Sequence, residues 1–429
     1  MPTRQQRPAP ADPDRLTFRR FFAELGPGLV TGAADDDPSG ISTYSVVGAS
    51  FGYLPLWTAL FSFPLMVSVQ LMCARLGIVT GRGLAGVIRR RYPRWVLWGS
   101  CLLLVVANVI NIAADLGGMA EATKLVTHAP VALCVPLYAL VIVLLLMFSS
   151  YRTIARVFKW LTLVLLAYVL TAFVAHVDWK LALRATFIPH LDWSRSFFSV
   201  LVAILGTTIS PYLFFWQAAQ EVEEERALGR NFAHRRGATP EELRACRNDV
   251  LAGMFASQAI MYFIILTTAA TLHAHGETNI ATAQEAAEAL RPLAGAGASW
   301  LFTLGLIGTG ILAVPVLAGS SAYAIAEAAA WRGSLNRRPR RARKFYTVLA
   351  VAMTLGVALN YAGLNAIKLL FTTAVINGVL APPLILIVVL LTRDRDVMGD
   401  HVCSRLLGAL GWITFVVMTL AACGLFFAS

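Results

Sequence analysis

Charge is scarce in this chain. Asp, Glu, Lys and Arg make up 14% of 429 residues, against about 25% in a soluble domain, while hydrophobic residues reach 57%. That excludes an ordinary water-soluble fold. Repeated apolar runs of about 20 residues leave little room for a separate soluble domain. Cysteine is scarce too. None of Cys73, Cys101, Cys134, Cys246, Cys403 and Cys423 pairs as C-x-x-C, so neither a zinc site nor a disulfide framework is signalled, and all six are expected as small buried hydrophobes. There is no H-E-x-x-H motif and no nucleophile–base pair, so an enzyme is not expected, nor a cofactor. Residues 1–20 are rich in Pro and Arg and lack an apolar core, which predicts a disordered cytoplasmic tail rather than a cleavable signal.

What is present is a series of eleven apolar spans, near 21–48, 53–78, 95–124, 130–149, 154–176, 197–222, 249–272, 299–331, 345–361, 365–391 and 405–428. The net charge of +12 falls between the spans, where the positive-inside rule expects it, so the partner is a lipid bilayer and not nucleic acid. With the N-terminus in the cytoplasm, only Lys124, Lys180, Arg184, Arg195, Arg291 and Lys368 lie outside, and the other 30 of 36 Lys and Arg lie inside. One span more or fewer in the middle would destroy this alternation. The reading is a multi-pass plasma or inner membrane protein with its C-terminus external. The basic clusters Arg89-Arg90-Arg91 and Arg337 to Lys344 are topogenic, with contact to anionic headgroups as a second use.

The first span carries Asp35-Asp36-Asp37-Pro38-Ser39-Gly40. Near a helix centre each aspartate costs about 2.5–3.5 kcal/mol. Pro38 lacks an N–H and pushes Asp37 away from α geometry. A helix broken in mid-bilayer follows, its bare backbone lining a cavity, since irregular backbone at that depth is tolerated only there. The sixth span reads Gly206-Thr207-Thr208-Ile209-Ser210-Pro211-Tyr212, a second interruption at the matching position. Spans one to five and six to ten form two sets of opposite sense, 21–176 and 197–391. Paired interruptions in inverted halves point to a transporter's central site.

Both prolines release the carbonyl four residues back, Ala34 and Thr207. With the Asp37 carboxylate and the hydroxyls of Ser39, Thr208 and Ser210 these form a hard oxygen set, suited to Mg²⁺, Mn²⁺ or Ca²⁺. Asp35 and Asp36 either line the approach, pair with Arg or carry a proton. On span three, Asn108, Asn111 and Asp115 share a face, lining the pathway or bonding between helices. Gln217, Gln220 and Glu221 continue span six. Glu223, Glu224 and Glu225 end it, as an inner vestibule, a gate paired to Arg, or a solvated acidic turn. Thr372, Thr373 and Asn377 on span ten are candidates for the site wall, while His273 and His275 are expected to be solvated.

At these residues the chain resembles the NRAMP family of divalent-metal transporters, over residues 21–428. Gly26-Pro27-Gly28 with Asp37-Pro38 is similar to the family's first-helix signature G-P-G…D-P-G-N. Asp115-Leu116-Gly117-Gly118 resembles its third-helix D-L-A-E, and Leu369 to Pro382 and Asp394 to Gly399 also look like the family. The resemblance implies an all-α integral membrane protein of LeuT type: 5+5 inverted repeats, helices 1 and 6 broken, an additional eleventh helix, and alternating access. It carries over Asp37 as the carboxylate ligand and Thr207 as the carbonyl ligand. The family's Asn ligand falls on Gly40, its Met on Ser210, its His on Tyr212, its D-L-A-E Glu on Gly118 and its tenth-helix Gln on Ala374. Losing the thioether removes a soft ligand, and losing His and Glu removes proton-coupling groups. The expected substrate is Mg²⁺ or Mn²⁺, partly hydrated, held by Asp37 and Thr207 with Asp36, Ser39 and Ser210 beside them. Asp35, Gly40, Asp115, Tyr212, Gln217, Glu221, Thr373 and Asn377 are pathway candidates. The alternative is a cationic or neutral organic solute on the same fold. Oligomeric state is left open, a monomer being sufficient.

Overall fold

The computed structural model describes residues 26–148, 163–227 and 238–427. The expected tail, residues 21–25, the start of the fifth span and the middle of the charged stretch after the sixth lie outside them. The principal helices are α1 (Pro27–Asp35), α2 (Pro38–Phe51), α3 (Trp57–Thr80), α4 (Leu84–Arg91), α5 (Arg94–Thr127), α6 (Val131–Phe148), α7 (Leu166–Val174), α8 (Trp179–Phe187) and α9 (Arg195–Thr208). They continue as α10 (Pro211–Ala227), α11 (Pro240–Thr271), α12 (Ala283–Glu288), α13 (Arg291–Ala294), α14 (Ala298–Ala328), α15 (Arg343–Asn360), α16 (Ala366–Arg393), α17 (Arg395–Met398) and α18 (Arg405–Phe427). Among the described residues eight segments are long and apolar enough to cross a membrane. The other three expected spans correspond to the broken pair α1–α2, to α7 and to α15. Large side chains such as Leu102, Phe148, Phe173, Phe255, Leu420 and Phe427 stand exposed on the outside, as lipid-facing residues do and as those of a water-soluble monomer rarely do.

Local chemistry sets the helix ends. Asp37 caps α2 by accepting from Gly40 N at 2.6 Å, Ser194 caps α9 and Asn365 caps α16 through Lys368 N at 2.9 Å. Thr239 and Glu242 close a reciprocal capping box on α11. That box corrects an expectation, because the seventh span starts nine residues before 249, at Pro240. The connection from the fifth span to the sixth is not a plain loop. It holds α8, which turns 119° from the segment Leu163–Val174. Cysteine burial holds for Cys73, Cys101, Cys134 and Cys246, but Cys403 is half-buried and Cys423 is exposed.

The most extensive contacts join α5 to α14, α9 to α16 and α1 to α11. The last two rest on missing side chains. A Cβ on Gly32 would meet the Gly253 backbone, one on Gly253 would meet Gly28, and one on Gly206 would meet the backbones of Ala374 and Gly378. Small residues let backbones approach where lipid offers no hydrophobic drive. Both halves that end at a break are thereby clamped to a long neighbour.

Candidate ion site at two helix breaks

The two breaks share one design. The α1 helix stops at Asp35, Asp36 leaves helical geometry at ψ 56°, and Pro38 opens α2. The α9 helix stops at Thr208, Ile209 leaves at ψ 55°, and Pro211 opens α10. Each gap is two residues long, Asp36-Asp37 and Ile209-Ser210. Pro is favoured at a first helical position, where its missing N–H costs nothing.

The breaks meet at Gly40. A Cβ there would lie 3.2 Å from Thr207 Oγ1 and 3.4 Å from both Asp35 O and Asp37 Oδ1. Asp35, Asp36 and Asp37 are at most 5% exposed and Thr207 is 2% exposed. Among the described residues no three His, Cys, Asp or Glu side chains converge as a metal cluster.

The released carbonyls are already engaged. The Tyr212 hydroxyl lies 3.1 Å from Ala34 O and 3.3 Å from Asp37 Oδ2. Ser210 Oγ is 2.8 Å from both Gly206 O and Thr207 O, so its hydroxyl replaces the bond that Pro211 cannot make. Thr208 donates back to Ile204 O at 2.9 Å. Ser39 turns to α16, donating to Leu370 O at 2.8 Å with Thr373 Oγ1 at 3.0 Å. The aspartates divide. Asp35 Oδ2 and Asp36 Oδ1 accept from Ser257 at 2.6 and 3.1 Å. Asp35 Oδ1 and both oxygens of Asp115 have no hydrogen-bond partner among the described residues. Asp115 lies within electrostatic range of Asp37.

Other expected residues are placed as follows. Asn377 and Thr373 are buried on α16, but Thr372 is exposed and bonds back to Lys368 O, so it is no part of the wall. Asn108 spends its amide between helices, within 2.9 Å of Leu317 O, Ser320 and Ser321. Gly118 faces Leu370, and a Cβ there would lie 2.8 Å from Leu370 Cδ1, so a longer side chain requires that leucine to turn aside. The solvated acidic turn is corrected. The α10 helix runs on to Ala227, Glu221, Glu223 and Glu225 are buried, and Glu223 pairs with Arg226. His273 is exposed yet not merely solvated, because its Nδ1 lies 2.7 Å from Ala49 O at the end of α2.

Sequence reasoning missed four residues. Thr31 hydrogen-bonds to Gln217 at 2.5 Å, and Gln217 to Glu221 at 2.9 Å, a polar chain running from the break along α1 and α10. Thr31 sits one turn before Asp35, which was a readable signal. Ser257 and Asp249 reach the first span from α11. Asp249 accepts from Gly28 N at 2.6 Å and Leu29 N at 3.2 Å, capping α1. No local pattern announces such a partner. Tyr44, buried on α2 within electrostatic range of the three aspartates, passed as an ordinary aromatic.

The family model described as natural resistance-associated macrophage protein-like (Nramp) matches residues 28–428. The chain is 30% identical over 409 residues to a protein of Xanthomonas campestris pv. campestris named divalent metal cation transporter MntH, covering 93% of this chain and 89% of that one. It is 29% identical over 412 residues to a protein of the same name from Mesorhizobium japonicum, covering 94% and 87%. Its fold is similar to a manganese transporter of Eremococcus coleocola, at TM-score 0.75 and 21% identity over 96% of this chain and 87% of that one. It is also similar to MhsT crystallised with L-phenylalanine, at TM-score 0.63 and 12% identity over 94% and 98%.

Proposed function

This chain belongs to the Nramp family, and from that premise we propose that it carries Mg²⁺ or Mn²⁺ across the plasma membrane by alternating access, with Asp37 as the central ligand. The coarser reading, a divalent metal cation transporter with many membrane spans, follows from the relatives and the apolar helices. The observation that carries the finer one is the single point on which Ala34 O and Asp37 Oδ2 converge, held by the Tyr212 hydroxyl at 3.1 and 3.3 Å. An ion displacing that hydroxyl meets a carboxylate and a carbonyl at once. Rotation of Ser210 away from Thr207 O supplies a second carbonyl, and Thr207 Oγ1 faces the bare Gly40. Every one of these is a hard oxygen.

Gly40 and Ser210 stand where the family signature has longer ligands, so fewer side-chain atoms replace an ion's water there. Mg²⁺ sheds water reluctantly, and Mn²⁺ accepts the same oxygens. Neither break contains a thioether or imidazole to favour a softer ion. With the N-terminus cytoplasmic and the C-terminus external, as the charge distribution favours, membrane potential alone supplies about 4.6 kcal/mol per 100 mV for inward movement of a divalent ion.

The test is uptake of Mg²⁺, Mn²⁺ and Ca²⁺ into proteoliposomes, with an organic amine as a parallel arm. Asp37→Asn keeps an acceptor for Gly40 N, because Asn caps helices about as well as Asp, while removing the charge. Flux of Mg²⁺ or Mn²⁺ by the parent chain and its loss in a folded Asp37→Asn variant is the expected result. Unchanged metal flux in the variant, or amine uptake alone, overturns the proposal.

A further inference from the structure

On the face that carries the basic connectors, away from the helix breaks, lies a cavity of about 770 Å³. It is bounded by the α3–α4 turn, the end of α10, the end of α14 and the loop that follows to Arg337. Its volume falls within the range of about 300–1,000 Å³ typical of small-molecule sites. Five arginines line it, Arg82, Arg89, Arg226, Arg332 and Arg337, against two carboxylates, Glu223 and Glu327.

Both carboxylates are committed to the protein itself. Glu327 accepts from Gly86 N at 3.0 Å and occupies the space a Cβ on Gly83 would need, so it closes the N-terminus of α4. Glu223 pairs with Arg226 and accepts from Ser334 Oγ at 2.5 Å and Asn336 Nδ2 at 3.2 Å. Arg89, Arg332 and Arg337 have no ion-pair partner among the described residues. The cavity therefore gathers uncompensated guanidinium groups around a volume whose own acids are spent. A metal cation would be repelled from it. A guanidinium presents a planar fork of donors that fits phosphate oxygens two at a time.

We propose that this cavity binds a phosphate-bearing anion. Two sources share that chemistry, an anionic lipid headgroup, which basic pockets between membrane helices accept, and a soluble phosphate compound. The site joins α4, α10 and α14, so its occupant would tie the second half of the broken sixth span to the loop after α14.

Binding is tested on the purified full chain without any transported metal, so the outcome is independent of the transport reading. One arm titrates inorganic pyrophosphate in neutral detergent. The other compares nanodiscs of phosphatidylcholine with nanodiscs that also contain cardiolipin. Each is read by calorimetry and by thermal midpoint. The expected result is a saturable rise of the midpoint in at least one arm, with affinity reduced about tenfold or more in the exposed-loop double variant Arg332→Gln/Arg337→Gln. Arg343→Gln, an exposed arginine outside the lining, should leave it unchanged. A response to pyrophosphate assigns a soluble phosphate, and a response to cardiolipin alone assigns a headgroup. No saturable response in either arm, an undiminished response in the double variant, or an equal loss in Arg343→Gln overturns the proposal.

Discussion

The Tyr212 hydroxyl holds Asp37 Oδ2 at 3.3 Å and, from the same atom, Ala34 O at 3.1 Å. One phenol thus bridges the carboxylate and the carbonyl that the Asp36-Asp37 break exposes, and on the proposed function an arriving ion competes with it. Tyr212→Phe removes the competitor and leaves two buried acceptors unpaired, at a cost of about 1–3 kcal/mol to the ion-free protein. The ion-bound protein does not rely on that bond. The variant should therefore melt lower without metal and bind Mn²⁺ or Mg²⁺ about tenfold more tightly, as measured by thermal melting and calorimetry. Weaker binding would make the hydroxyl a ligand, and unchanged binding would place the ion elsewhere.

Ser210 makes the second prediction. Its hydroxyl lies 2.8 Å from both Gly206 O and Thr207 O and donates its one proton to either. Ser210→Met removes that donor and adds a polarizable thioether. Soft ligands favour softer ions, so the ranking of ions in a competition assay should move toward Mn²⁺ and Cd²⁺ and away from Mg²⁺. An unmoved ranking would mean that position 210 does not face the ion.

The breaks and their matching positions were legible in sequence because proline, glycine and clustered carboxylates are anomalies inside an apolar run, and an anomaly at membrane depth has few structural solutions. Asp37, Thr207 and Gly40 do come together. The rest was not legible for a physical reason. Whether a freed carbonyl stays free depends on which hydroxyl rotates onto it, and Ser210, Ser39 and Tyr212 each choose a partner set by packing. Ser39 turns to Leu370 O, 331 positions away, and no local rule selects that contact. The fate of the acidic stretch after Gln220 was equally hidden. A charged run reads as solvated until a neighbouring loop brings Ser334 and Asn336 to Glu223.

The third prediction concerns the first half of the broken span. The α1 N-terminus has no cap of its own, since Gly26 offers no side chain, and Asp249 of α11 supplies it through Gly28 N and Leu29 N. Asp249→Ala leaves those donors bare and should cost about 0.5–2 kcal/mol, the usual range for losing an N-cap. Asp249→Asn, which keeps an acceptor, should recover most of it. Hydrogen exchange at Gly28 and Leu29 is the direct readout. Equal protection in the parent and in Asp249→Ala would show that the Gly32–Gly253 contact alone holds α1 in place.

The last prediction follows from an ion pair outside the membrane. Arg91 ends α4 and pairs with Asp394, which follows α16. Partial burial works to raise the Asp394 pKa, but the Arg91 hydrogen bond and charge, with backbone donors at Asp396 and Val397, outweigh it and hold the carboxyl below its usual 3.8. The folded value is therefore lower than the unfolded one. By linkage, the contribution is fully present above the unfolded pKa and fades as pH falls through the folded value. The side chains are 47% and 19% exposed, so the effect is small and screened by salt. The thermal midpoint of Asp394→Asn should lie slightly below that of the parent at pH 7. The two should converge at pH values under the ordinary carboxylate range, and converge at pH 7 in high salt. A gap that widens on acidification would mean that the pair does not hold the carboxylate charged.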